Sequence, residues 1–388
     1  MTTSISGAAE LSVNDFSFDQ PLGSQGTKIE RIAENHFLVK LGHAPQHSDW
    51  NNKLQFKILR NAKGNQLRLD VIFEGGDAYI FNEYYNSWSY DGKSWTPIQW
   101  KEHSKDSKKG DTLLFPVFTE DVVYVGHQTP MSYEDSCSLI KGWSKSPYVS
   151  VHSIGESLGG RMIQRITITD PQSPHDAKSR WVHYFANQHP GEHNSQWRMV
   201  GMVDWLLSDE AVDARKRSIC HFIMMMSPDG PSNGWYRVNG QGVDMNRSYK
   251  VDGSGSDNQA HEAALCQKDL ESLMNSESPV VDLWSMHTWG GKVELIVIPG
   301  PEMGAAVGPW TTLRDLIESN DPDNLVKPLT ESKSKGNPAY WTCGPNRQFG
   351  ITAVLCEGGG AIYTKEEHEK SGAALIRGVV EYYKGVKQ

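Results

Sequence analysis

What this chain lacks narrows its class before any motif is read. No stretch approaches the roughly 18 consecutive apolar residues of a membrane span. Met1 to Phe16 carries Ser, Thr, Asn and Asp where a signal peptide needs a basic start and an apolar run, so a cytoplasmic protein is expected. CxxC spacing is absent. The five cysteines, Cys137, Cys220, Cys266, Cys343 and Cys356, are odd in number and too sparse over 388 residues for a disulfide scaffold, so they are expected to be reduced and structural. A basic stripe is missing as well. With 47 acidic against 38 basic residues the formal charge is -9, which repels a phosphate backbone. The nearest basic run, Lys105 to Lys109, is broken by Asp106 and followed by Gly110, as in a solvated turn. Internal repeats and low-complexity segments are also absent. Neither nucleic acid nor membrane is expected as a partner.

What is present is a globular composition. Apolar residues make up 38% of the chain, with 13 Trp, 14 Tyr and 11 Phe, enough apolar surface to offset chain entropy. Residues 1–126 read as strands and turns: Phe37 to Leu41, Leu54 to Ile58, Gln66 to Phe73 and Val122 to Gly126 alternate or run apolar between Gly, Asn and Asp clusters. An all-β sandwich is expected there, with the aromatic run Tyr84 to Trp88 and Trp95 and Trp100 as packing.

From residue 127 the pattern changes. After a helix over Tyr133 to Trp143 and a strand over Ile163 to Thr169, strands at 181–188, 218–225, 279–287, 293–298 and 350–357 interleave with helices at 195–207, 257–274, 310–318 and 365–383. Long amphipathic helices between apolar strands predict an α/β/α sandwich with a mixed sheet over 127–388, whose ligands sit at strand ends. Val251 to Asn258 is a polar loop.

Four strand ends carry the chemistry. The 181–188 strand runs into His189-Pro-Gly-Glu192, where an imidazole and a carboxylate can converge on one cation. The strand from Val280 delivers His287 to the same edge, completing a His₂Glu set that leaves a fourth position for water. Glu357 ends the 350–357 strand ahead of Gly358 to Gly360 and is placed as a general base. Between these lie Ser227-Pro-Asp-Gly230, Gly234-Trp-Tyr-Arg237 and Gly242-Val-Asp-Met-Asn-Arg247, whose arginines and asparagine are donors for anionic groups.

The order H-P-G-E, P-D-G, Tyr-Arg, D-x-N-R, then a separate His and Glu resembles the zinc metallocarboxypeptidases, in particular a short, bacterial-type member of their cytosolic carboxypeptidase (deglutamylase-like) branch, which places a β-sandwich before the catalytic domain. The resemblance spans nearly the whole chain. It implies a carboxypeptidase-like fold, one catalytic Zn²⁺ held by His189, Glu192 and His287, Glu357 as base and proton shuttle, and Arg237 on the scissile carbonyl. Asn246 and Arg247 would bind the free C-terminal carboxylate of a peptide or protein tail, with Tyr340 the candidate pocket-closing tyrosine and Arg347 the candidate specificity residue for acidic C-terminal side chains. Ser227 before P-D-G, Ser248-Tyr249 after N-R and Thr288-Trp289 after His287 depart from the common pattern. Two other readings stand beside this one: an aspartoacylase-like zinc deacylase of small N-acyl amino acids, and a zinc-binding, non-catalytic receptor.

Overall fold

The computed structural model describes residues 9–19, 21–75, 85–98, 103–106, 110–288, 295–299, 310–326, 329–332, 336–357 and 362–386. Tyr84, Trp100, Lys108, Lys109, Trp289, Val293, Glu294 and Gly358 to Gly360, all singled out from sequence, lie outside these. Two compact units emerge, one running to Pro130 and including Pro231–Tyr236, the other Met131–Gly230 with Arg237–Gln388.

In the first unit the described residues form two five-stranded sheets and a small hairpin. Strict alternation makes them half-buried: His36–Lys40 buries Phe37 and Val39, and Gln66–Ile72 buries Leu67, Leu69 and Val71. Those side chains share one apolar core with Phe56, Ile58, Val123 and Val125 from the other sheet. The unit is an all-β sandwich.

The second unit is built on a mixed sheet of eight described strands. In chain order these are β1 (Val149–Glu156), β2 (Met162–Ile168), β3 (Trp181–Asn187), β4 (Ser218–Ile223), β5 (Asp282–His287), β6 (Leu295–Pro299), β7 (Leu329–Ser332) and β8 (Thr352–Glu357), lying in the order β1-β2-β4-β3-β5-β8-β6-β7. Strands β4, β3, β5 and β8 are mutually parallel. Their side chains alternate between two cores: Phe185, Phe222, Trp284 and Val354 face one, Tyr184, Ile223 and Leu283 the other. Burial on both sides explains the nearly continuous apolar runs.

The helices are α1 (Tyr133–Trp143), α2 (His193–Leu207), α3 (Val212–Arg217), α4 (His261–Met274), α5 (Trp310–Ser319), α6 (Gly344–Phe349) and α7 (Lys365–Lys384). Helices α2, α5 and α7 contribute to the first core and α4 to the second. Helix α2 meets α7 through paired glycines: a Cβ on Gly201 would lie 1.8 Å from the Glu369 carbonyl oxygen, and one on Gly372 1.8 Å from that of Arg198. The result is an α/β/α sandwich.

Local differences have local causes. Strand β1 was not expected; it pairs antiparallel with β2 and is largely exposed, so it carries little apolar signal. Helix α4 starts at His261, not Asp257, because Gly253, Gly255 and Asn258 adopt positive φ (118°, 86° and 60°) and keep the preceding segment a turn.

Candidate metal centre

Because β3, β5 and β8 are parallel neighbours, their C-terminal ends reach one edge together. Asn187 of β3 stands beside Met286 of β5, and His287 stands directly beside Glu357 of β8. The chain leaving β3 turns through His189-Pro-Gly-Glu192 into α2, which brings Glu192 back within three residues of His189.

His189, Glu192 and His287 are each buried, and one donor atom from each lies within 4.8 Å of the others. His189 Nδ1 lies 2.8 Å from Glu192 Oε1, His287 Nδ1 2.8 Å from Glu192 Oε2, and the two Nδ1 atoms are 3.1 Å apart. The outer nitrogens have their own partners. His189 Nε2–H donates to Asp244 Oδ1 at 3.0 Å, which turns Nδ1 inward toward Glu192. His287 Nε2 lies 3.0 Å from Ser285 Oγ, whose own hydrogen goes to Gln188 Oε1 at 2.6 Å. That oxygen can therefore accept from Nε2–H, the tautomer that a cation on Nδ1 would require. Two imidazole Nδ1 atoms and a carboxylate converging in a buried space are a donor set for a divalent cation, and imidazole suits zinc. The Thr288 backbone N–H steadies Glu192 Oε2 at 3.1 Å.

Electrostatics follow from this crowding. Burial alone would push the Glu192 carboxyl up, but His189 and His287 hold it well below the usual carboxylate range. Burial lowers His189 too, yet Glu192 and Asp244 outweigh it and the net shift is upward; for His287 burial prevails and the shift is downward. Glu357 moves the other way, its carboxyl pushed up to about 8 by burial and by the Glu192 charge, against His189, Arg237 and Arg247.

The remaining expected residues divide. Arg237 Nε donates to Asp244 Oδ2 at 2.5 Å. Asn246 is buried, accepts the Trp341 N–H at 2.8 Å through Oδ1 and turns its amide nitrogen to within 3.2 Å of His287 Nε2. Arg247 is exposed and lies 3.8 Å over the Tyr340 ring, so these two share one spot beside the centre. Arg347 is exposed on α6, its backbone N–H closing that helix onto the Cys343 carbonyl at 3.2 Å. Asp244, which received no role from sequence, joins His189 to Arg237 and accepts the Asn246 N–H at 2.8 Å. Its place two residues before Asn246 was the available signal. Burial would raise its carboxyl, but His189, Arg237 and Arg247 together hold it down.

A doubly covered mixed sheet with a His-Glu-His cluster and a facing carboxylate at the ends of its parallel strands belongs to the class of metal-centred α/β proteins. Residues 141–285 match the zinc carboxypeptidase family. It is 33% identical over 175 residues to cytosolic carboxypeptidase 2 of Xenopus tropicalis, an alignment covering 43% of this chain and 17% of that protein. The chain thus spans less than a fifth of this relative's length. Among solved structures it is similar to a metallo-carboxypeptidase from Burkholderia cenocepacia (TM-score 0.77, 16% identity, 95% of this chain and 98% of that one). It is also similar to a metallo-carboxypeptidase from Pseudomonas aeruginosa in complex with (2-guanidinoethylmercapto)succinic acid (TM-score 0.75, 16% identity, 95% and 99%). At these identities the structural likeness establishes the fold.

Proposed function

We propose that this protein is a cytoplasmic zinc-dependent metallocarboxypeptidase that hydrolyses the C-terminal peptide bond of peptides or protein tails. The observation that carries the reading is the convergence of the His189 and His287 Nδ1 atoms on Glu192, with Glu357 beside His287 in the sheet register. A zinc ion held by His189, Glu192 and His287 would supply Lewis acidity to the scissile carbonyl and to a water. Glu357 accepts the proton of the attacking water on its carboxylate and passes it to the leaving amine. Arg237, oriented by Asp244, faces the developing oxyanion.

Arg247, exposed and stacked on Tyr340, is the group for the substrate's α-carboxylate. Asn246 assists it: its amide nitrogen, held beside His287 with Oδ1 fixed by the Trp341 N–H, has a second hydrogen to offer a ligand. The dicarboxylate in the Pseudomonas complex supports a carboxylate-binding site on this fold, and a preference for acidic C-terminal residues, with Arg347 as its cation, belongs to the same reading. The name of the Xenopus relative supports the cytoplasmic assignment.

The test is a C-terminal peptide library read by mass spectrometry, with and without a chelator. Stepwise, chelator-sensitive loss of C-terminal residues is expected. Internal cuts, equal cleavage of amidated peptides, or cleavage of N-acyl amino acids alone would overturn the reading.

A further inference from the structure

The two histidines of the cluster are anchored differently. His189 rests on a carboxylate, Asp244, whereas the outer Nε2 of His287 meets neutral groups: the Asn246 amide at 3.2 Å and Ser285 Oγ at 3.0 Å, whose O–H goes on to Gln188 Oε1 at 2.6 Å, so that with a cation on Nδ1 the Nε2–H donates to Ser285. Ser285 and Gln188 are both 0% exposed. Ser285 lies two residues before His287 on β5, so the strand's period of two puts both side chains on one face. Gln188 immediately precedes His189, and its amide nitrogen is spent on Met226 Sδ at 3.4 Å, which turns its oxygen toward Ser285. The relay thus runs from the residue next to one ligand to the outer nitrogen of the other.

We infer that Ser285 and Gln188 are positioning residues for the metal, a relay that fixes the tautomer and ring orientation of His287 and ties the ends of β3 and β5 at the spacing one ion requires. The inference rests on the zinc reading of the site. Gln188 is what gives the relay its direction. Were its oxygen removed, the Ser285 hydroxyl would be free to donate to Nε2, and the His287 proton would move to Nδ1, the atom needed for coordination. Partners of this kind carry about 10- to 100-fold in metal affinity.

The experiment measures zinc affinity by competition with a chromophoric chelator, and the visible spectrum of cobalt-loaded protein, for the full chain and three variants. Ser285→Ala and Gln188→Leu are expected to bind zinc about 10- to 100-fold more weakly and to shift the cobalt bands. Gln188→Glu, which keeps the acceptor oxygen, is expected to restore most of the affinity. Melting of the chelator-treated proteins separates a structural effect. Unchanged affinity in both deletions overturns the inference, as do losses that track melting temperature with Gln188→Glu no better than Gln188→Leu. Wild-type protein with no zinc affinity overturns the zinc reading as well. The expected losses in a protein without peptidase activity would sink the proposed function and leave the relay standing.

Discussion

Glu357→Gln separates catalysis from stability at one side chain. Its carboxyl is pushed from 4.5 up to about 8, first by burial and then by Glu192. Below pH 4.5 the group is protonated whether the chain is folded or unfolded, and it costs nothing. Between 4.5 and 8 the unfolded chain ionises while the folded one resists, so each rise in pH removes stability; above 8 the full cost applies. At about 1.36 kcal/mol per pH unit the ceiling is about 5 kcal/mol, and solvent reaching the partly covered side chain reduces it to about 2 to 3 kcal/mol. Glutamine keeps the shape and never ionises. In chelator-treated protein Glu357→Gln should therefore melt near wild type at pH 4.5 and about 5 to 10 °C above it at pH 9. Zinc places positive charge beside the carboxylate and should shrink that gap. In zinc-saturated protein the same change should lower kcat by about 10²- to 10⁴-fold with the metal retained. Calorimetry across pH and turnover on a free-acid peptide measure the two effects. A melting difference that stays flat or falls as pH rises would refute the electrostatic argument, and wild-type turnover would refute the base assignment.

His189→Ala should purify without stoichiometric zinc and without activity, and elemental analysis showing one zinc per chain would remove it from the ligand set. Asp244→Asn keeps a hydrogen-bond acceptor for His189 but loses the charge that also holds Arg237, so zinc affinity should fall about 10- to 100-fold and kcat with it; a change in KM alone would contradict that placement. Arg247→Ala should lose about 30-fold or more in kcat/KM on free-acid peptides, since truncating one partner of a charged contact costs roughly 2 to 5 kcal/mol. On the C-terminally amidated analogue, assayed in parallel, the same change should matter little, and equal losses on both would detach Arg247 from carboxylate recognition.

Some of this was legible because it is local. The pair His189 and Glu192 is three residues apart on one turn, and an apolar strand ending in a polar residue announces a side chain delivered to a sheet edge, as at His287 and Glu357. Period-two alternation in His36–Lys40 and Gln66–Ile72 likewise specifies which side chains face the sandwich core. Arg347 shows the limit: linear position offers it as a pocket residue, but which arginines bear on Glu357 is a matter of tertiary placement, and there Arg237 and Arg247 do. Asp244 and Ser285 are polar residues of ordinary type, and nothing in a linear pattern says which nitrogen of which histidine each will meet, or that Gln188 will meet Ser285.

Sequence by itself determined the element types, strands first and then strands alternating with helices, because each depends on periodicity within one segment, and it singled out His189, Glu192 and His287 as candidate donors. Only the tertiary structure decided that His287 comes within 3.1 Å of His189 across 98 residues of chain. That proximity requires β3 and β5 to be adjacent, parallel and in one register, and a one-residue slip would turn His287 to the opposite face.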